Sequence, residues 1–503
     1  MLHDTPLRSR HEQWLAATVR GSSEGQAAAR PGAATGERTE AEIEWIPYGL
    51  IEDGTGPLCE IVTTYGGEVE SEYAAIRRGA GLIDAPQRGT IVLRGEDRRD
   101  LLDRLVTQRL DDMGIGGVRE AFLLNRKGRI EADLLIVHLS DLTILDVDIT
   151  RAAAVAEQID AFIFGEDVTV EDRTAVNHRI SVHGRKAGAV LSALTDPVSV
   201  TLDPLESGRI VLEGAEVVVV RRDQTGEPGL EFIVPRDAAA AVWERLLALD
   251  ETIAGGRRAI RPCGWYAYNI ARIEAGTPLF NVDFATDSLP HETTLLSRRV
   301  SFTKGCYPGQ EVVARTEHLG RPKQVLVGLA VDGEAEPMAG TQVFERDPDG
   351  AMGAVIGAVT SSTPSPMRGL EPIAIATIRS AKVAPGGRVI VLAGGEPVEA
   401  TIGGLVGWSG GEGVAAVDAA DDVGAGGADA EAGAEANAEA GPGSGAKAEA
   451  EAEVTVDAGV DAEAEPKADG GAVANADAKV PADAGAAGDG PAPAVDAGSE
   501  AGS

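Results

Sequence analysis

An α+β protein that ends in a small β-barrel is the fold class this sequence predicts, and three observations predict it. Strand-like and helical runs mix through most of the chain without the steady βαβ rhythm of a doubly wound sheet. Six short β-rich runs, separated by Gly, Pro and Asp turns, crowd the stretch that begins at Gln324. After Trp408 there is no aromatic residue, and the text becomes Ala, Gly, Glu and Asp to the end.

The elements follow in chain order. Residues 1–42 form an N-terminal segment in which 20–40, RGSSEGQAAARPGAATGERTE, has the composition of a flexible loop. Residues 43–323 form the main domain. There GTIVLRGEDRRDLLDRLVTQRL predicts a strand over Thr90–Arg94, a glycine turn and an amphipathic helix with Leu101, Leu102 and Leu105 on one face. GRIEADLLIVHLS and DLTILDVDI predict a hairpin. Thr150 is placed to cap the helix RAAAVAEQIDAFIF. DVTVED, RISVHG, GRIVLEG, AEVVVVRRD and GLEFIVP read as strands, and DAAAAVWERLLALD as a helix. RRVSF reads as a strand and QEVVARTEHL as a helix stopped by Gly320. Residues 324–407 then form the small barrel or sandwich.

Composition bounds the rest. Residues 411–503 carry 21 acidic residues against 3 lysines, a net of −18 out of −35 for the 503-residue chain. Without large apolar groups such a segment cannot offset its chain entropy, so 408–503 is expected to be a disordered, solubilising tail. The remainder is acidic too, with 59 acidic and 42 basic residues, which excludes broad binding to nucleic-acid backbones. A local basic pocket for a small anion stays open. Cys59, Cys263 and Cys306 form no CxxC pair and no metal-ligand spacing, as suits a reducing compartment. Neither a signal-like run nor a membrane-length apolar stretch is present, so a cytoplasmic protein without membrane contact is expected.

Three stretches could carry chemistry. In KGCYPGQE, Cys306 lies in a loop before a helix, where the helix N-terminus and Lys304 would favour its thiolate. A small buried residue packing the core is the equal alternative on local chemistry. In RIEAGTPLF, Arg272 and Glu274 are two apart and leave their helix in different directions; Arg272 could bind a carboxylate, with a structural ion pair as the rival reading. In DQTGEPGLEFIVP, Glu227 at a turn tip and Glu231 in the next strand are acceptors for an N–H-rich heterocycle. Asp133 in GRIEADLLIV is a further acid.

Taken in order, EYAAIRRGAGLID, LLNRKGRIEADLLIV, TGEPGLEF, RIEAGTPLFNVDF and KGCYPGQEVVAR resemble the folate-binding aminomethyltransferase-like superfamily of the glycine-cleavage T-protein, over residues 5–405. The KGCYPGQE block resembles the YgfZ-type branch, linked to iron–sulfur cluster synthesis and repair. The resemblance implies a cloverleaf of three subdomains around a channel that binds tetrahydrofolate or a one-carbon derivative. Carried over, it implies that Glu227 and Glu231 contact the pterin, that Arg272 supports the folate, and that Asp133 stands where T-proteins have their acidic catalysis. Cys306 would be the key thiol, held by Lys304, Tyr307 and Gln310. T-proteins show two acids where this chain has Ala132 and Asp133, and a tyrosine where it has Gln224. Loss of the first acid argues against aminomethyl transfer. The expected function is therefore a folate-binding accessory factor whose partners are iron–sulfur proteins or their assembly machinery. The alternative is a folate-dependent aminomethyltransferase or demethylase.

Overall fold

Alternation along the strands sets the architecture. A computed structural model describes residues 3–27, 42–51, 54, 56–195, 201–250, 253 and 259–405. The expected disordered tail over 408–503, and the expected loop beyond Ala27, lie outside the described residues.

The first sheet has five antiparallel strands in the order Val118–Leu124, Ile130–His138, Thr143–Asp148, Arg88–Arg94 and Thr169–Asp172. Successive side chains of a strand point to opposite faces. In Ile130–His138, Ala132, Leu134 and Ile136 therefore pack under the helices Arg98–Leu105 and Ala152–Asp160, while Leu135 and Val137 point the other way. Leu101, Leu102 and Leu105 are all buried, as their spacing predicts. Each fully buried side chain of this kind stabilises the fold by about 1.5–3 kcal/mol.

The second sheet runs Ser207–Leu212, Ala215–Arg221, Gly229–Pro235, Asn177–His183, Ala80–Asp84 and Ile260–Pro262, with only the last pair parallel. Its helical side is closed by Ala187–Leu194 and Ala239–Ala248, around a fully buried Trp243. The two sheets meet through the faces their helices leave free. One end of that seam is apolar, with Val92, Val137 and Ile144 against Val218, Val220 and Ile233. The other end carries charge, and it forms the cavity described below.

The third body is a closed barrel of six antiparallel strands from Gln324–Val331 to Glu396–Gly403, filled by aliphatic side chains such as Leu329, Val343 and Ile378. The predicted α+β fold with a C-terminal barrel is thus the observed one. The helix Trp265–Glu274 ties the barrel to the rest. Arg272 reaches Asp283 at 2.6 Å and Ser361 at 2.5 Å, and Glu274 reaches Ser365 at 2.5 Å. The N-terminal segment is fastened by Thr5 and His11, which bond Asp84 at 2.6 and 2.8 Å.

Three local expectations are corrected. Helix Arg8–Ala27 continues into the segment expected as loop from residue 20. The cap in this stretch is Asp148, at the head of the 3₁₀ turn Ile149–Arg151 that leads into Ala152–Asp160; its carboxylate at the strand end accepts from the Thr150 N–H at 2.9 Å, so Thr150 is the donor and not the cap. RRVSF is no strand: Leu296–Arg299 is a short helix, followed by an irregular segment held to Thr107 through the Ser301 N–H.

Candidate functional site

Between the sheets the charged end of the seam opens as a cavity lined from both sides. Strand residues Asp133, Asp146, Ser181 and Glu231 form its polar walls, and Trp265, Tyr268 and Phe280 form an aromatic side. Asp133 points into it for the same reason that Ala132 does not. Ala132 is fully buried in the apolar layer beneath the helices, so an acid at that position would meet leucines and not the cavity.

Asp133 is gripped by Arg299, whose Nε and Nη2 donate to its two oxygens at 2.6 and 3.1 Å. Arg299 also lies 3.4 Å from Glu120, which takes further ion pairs from Arg222 at 3.1 Å and Arg298 at 2.8 Å. Burial works against the charge of Glu120, yet Arg299, Arg222 and Arg298 together hold its carboxyl down to about 2. Three guanidiniums thus serve two carboxylates under the cavity floor. Such a group keeps its charges only while every member is present.

A second set lies alongside. Asp146 accepts from Arg88 at 2.8 Å and from Arg179 at 2.7 Å. Burial opposes its ionisation, and the two guanidiniums reverse that and lower its pKa. Asp148 accepts from the Tyr48 hydroxyl. Asp84 accepts from His178 at 2.7 Å as well as from His11 and Thr5; burial disfavours its charge, but the two imidazoles hold it well below the usual carboxylate range.

Glu231 differs. It is buried, yet its carboxylate receives no hydrogen bond from any described residue; His183 Nε2 stands 3.7 Å away. Burial raises its pKa, with Arg179 acting in the opposite direction. His183 is pushed down to about 4 by burial and is neutral at pH 7. The Tyr268 ring lies 5.4 Å from that imidazole, and burial pushes its phenol up to about 12.

Of the residues singled out in the sequence, Asp133 and Glu231 share this cavity. Glu227 stays at its turn, 3.3 Å from Arg185 and 3.9 Å from Arg77. Arg272 is fully buried at the barrel junction, where its guanidinium holds Asp283 and Ser361; this is the structural ion pair, away from the cavity lining. Lys304 is engaged elsewhere. Its ammonium donates to the backbone carbonyls of Asp103, of Val106 at 2.7 Å and of Gln108 at 3.1 Å, at the C-terminal end of helix Arg98–Leu105. Tyr307 is buried in the layer under the barrel, and burial pushes its hydroxyl up to about 12. Gln310 reaches only the Gly305 carbonyl, at 3.5 Å. Cys306 is exposed, whereas Cys59 and Cys263 are buried. Gly309 starts the helix Gln310–Leu319 at φ +81°, and a Cβ there would come within 2.5 Å of the Asn125 carbonyl.

Glu120, Asp146, Arg179, Arg222, His183 and Arg299 were not anticipated. A signal for four of them exists. Each of Glu120, Asp146, Arg179 and His183 is a charged or polar residue that alternates with helix-facing apolar ones such as Ala121, Leu145, Ile180 and Val182, so its spacing puts it opposite the helices.

The GCVT N-terminal domain model matches residues 59–304, and the glycine cleavage T-protein C-terminal barrel domain model matches residues 324–406. An aminomethyltransferase of Streptomyces avermitilis is 32% identical over 326 residues, which are 64% of this chain and 84% of that protein. An aminomethyltransferase of Cutibacterium acnes is 32% identical over 322 residues, 61% of this chain and 81% of that one. In fold, the chain resembles the crystal structure of the glycine cleavage system aminomethyltransferase T from Bartonella henselae. The TM-score is 0.65 at 23% identity, covering 80% of this chain and 98% of that one.

Proposed function

The chain belongs to the glycine cleavage T-protein family, and from that premise we propose that it binds tetrahydrofolate in the inter-sheet cavity and carries out folate-dependent one-carbon transfer there. One observation carries the reading: an acid, Asp133, and a buried carboxylate with no donor among the described residues, Glu231, face the same aromatic-walled space. Tetrahydrofolate, when bound, supplies the nitrogens that carry the one-carbon unit. The residues fit it. Glu231 offers two acceptor oxygens to an N–H-rich ring, and Trp265, Tyr268 and Phe280 offer faces to a flat one. Asp133 is fixed by two hydrogen bonds from Arg299, so its carboxylate can accept a proton or stabilise a cation without first reorganising. The sequence argument against aminomethyl transfer loses its force, because the position that lacks an acid, Ala132, faces the apolar layer.

Calorimetric titration tests the reading. Tetrahydrofolate should bind the wild-type protein, and Glu231→Gln should weaken binding about tenfold or more, since the amide exchanges one acceptor for a donor. An absence of binding overturns it. Transfer is tested by folate-dependent release of a one-carbon unit from an amine donor.

A second reading is favoured by the exposure of Cys306 alone among the three cysteines. On it the protein is a folate-binding accessory factor for iron–sulfur cluster assembly or repair, with iron–sulfur proteins or their machinery as partners and Cys306 as the working thiol. Cells carrying Cys306→Ser should then lose iron–sulfur enzyme activity at normal protein level. Full activity in those cells removes this reading and leaves the first untouched.

A further inference from the structure

Two buried polar side chains of the cavity are neighbours that do not satisfy each other. His183 ends the strand Asn177–His183 directly opposite Gly229, and Glu231 lies two residues further along the partner strand. They therefore share a face on a diagonal. The 3.7 Å between His183 Nε2 and Glu231 Oε1 is too long for a hydrogen bond, yet short enough for adjacent atoms of one ring to engage both.

The imidazole is fixed in orientation. A Cβ on Gly229 would stand 2.7 Å from His183 Nδ1 and 2.1 Å from the Arg222 carbonyl, so Nδ1 is pressed against the Gly229 backbone. Nδ1 has no partner. An orphaned buried N–H is rarer and costlier than an unfilled lone pair, which puts the proton on Nε2, the nitrogen nearer the Glu231 carboxylate. Burial, helped by Arg222, keeps the ring neutral against the pull of Asp223, while Arg179 and Asp146 act in opposite directions on Glu231. The edge presented to the cavity is then two carboxylate acceptors followed by one N–H donor.

We propose that His183 and Glu231 form a single recognition edge that selects a 2-amino-4-oxo heterocycle over its 2,4-diamino counterpart. The inference rests on the folate reading above. A 2-amino-4-oxo pterin presents donor, donor and acceptor in a row, which complements this edge. The diamino ring replaces the acceptor by a donor, which meets the His183 N–H head-on, and it loses the ring N–H that Glu231 would accept.

Calorimetric Kd values for tetrahydrofolate and for its 4-amino-4-deoxy analogue test this. The wild-type protein should prefer the 4-oxo ligand by about tenfold or more, the effect of one mismatched buried donor. His183→Leu should shrink the preference to less than about threefold, whereas His183→Gln, which keeps an N–H donor, should retain most of it. Thermal unfolding establishes that each variant folds, and the wild-type comparison stands without them. Equal binding of both ligands by the wild type overturns the recognition edge and leaves folate binding intact. A folded His183→Leu that keeps the full preference also overturns it. If neither ligand binds, the folate reading itself fails.

Discussion

In the cavity, charges are buried in matched sets and left one partner short. Glu120 and Asp133 share three arginines and Asp146 has two, whereas the Glu231 carboxylate and the His183 ring have no hydrogen-bond partner among the described residues. In the KGCYPGQE loop the polar groups are spent on anchoring the loop. Lys304 holds three carbonyls, Tyr307 is packed away, Gly309 allows close contact with Asn125, and Cys306 is left facing solvent. The most conspicuous residue type in the sequence therefore sits where few functional groups converge. The convergence happens among ordinary Asp, Glu and Arg residues whose strands were recognisable but whose partners were not.

The sharpest way to break this contrast is by activity. Asp133→Asn should lower folate-dependent transfer by about 10²- to 10⁴-fold with tetrahydrofolate binding nearly intact, as expected for loss of a proton-handling group. Single-turnover rates beside calorimetric Kd values check it, and an equal loss in Cys306→Ser would reverse the comparison.

Next in size is stability. Arg299→Met leaves the buried Glu120 and the part-buried Asp133 without their shared cation and should cost about 3–5 kcal/mol in urea unfolding. A loss near zero would mean that the charges under the cavity floor rearrange freely.

Acid should act on the same set. The folded pKa of Glu120, about 2, lies below its ordinary value of 4.5, so its contribution to stability is fully present above pH 4.5 and is lost as pH falls toward 2. Glu120→Gln should flatten that limb of the stability profile, measured by unfolding between pH 5 and pH 2.

The smallest effects belong to the loop. Cys306→Ser should change stability by less than about 0.5 kcal/mol, because the side chain is exposed. An aromatic disulfide reagent should titrate one thiol in the native protein and all three after unfolding. Burial raises the pKa of Cys263 and pushes the Cys59 thiol up to about 12, so neither supplies an accessible thiolate when folded.

How much of this was legible follows from the range of each signal. The barrel strands and the Leu101–Leu102–Leu105 face were visible, because their periodicity is written in neighbouring residues. The cap at Asp148 and the short helix Leu296–Arg299 were misread, since both depend on a tertiary contact as well as on local preference. Asp133 and Glu231 were found as acids, and the family resemblance, not any local pattern, put both at one folate site. Arg272 was weighed between ligand and ion pair, and only its burial beside Asp283 and Ser361 decided the matter.

By itself, then, the sequence determined the α+β class, the strand pattern that ends in a barrel, the block around Cys306 and the family resemblance, all of which rest on short-range order in the chain. Tertiary structure alone decided that Asp133 faces the cavity and Ala132 the core, that Arg299 reaches Asp133 across 166 residues, and that Lys304 is an anchor. Those outcomes depend on which strand faces meet and which of many arginines lands beside a given acid. Long-range packing fixes both, and no local pattern encodes them.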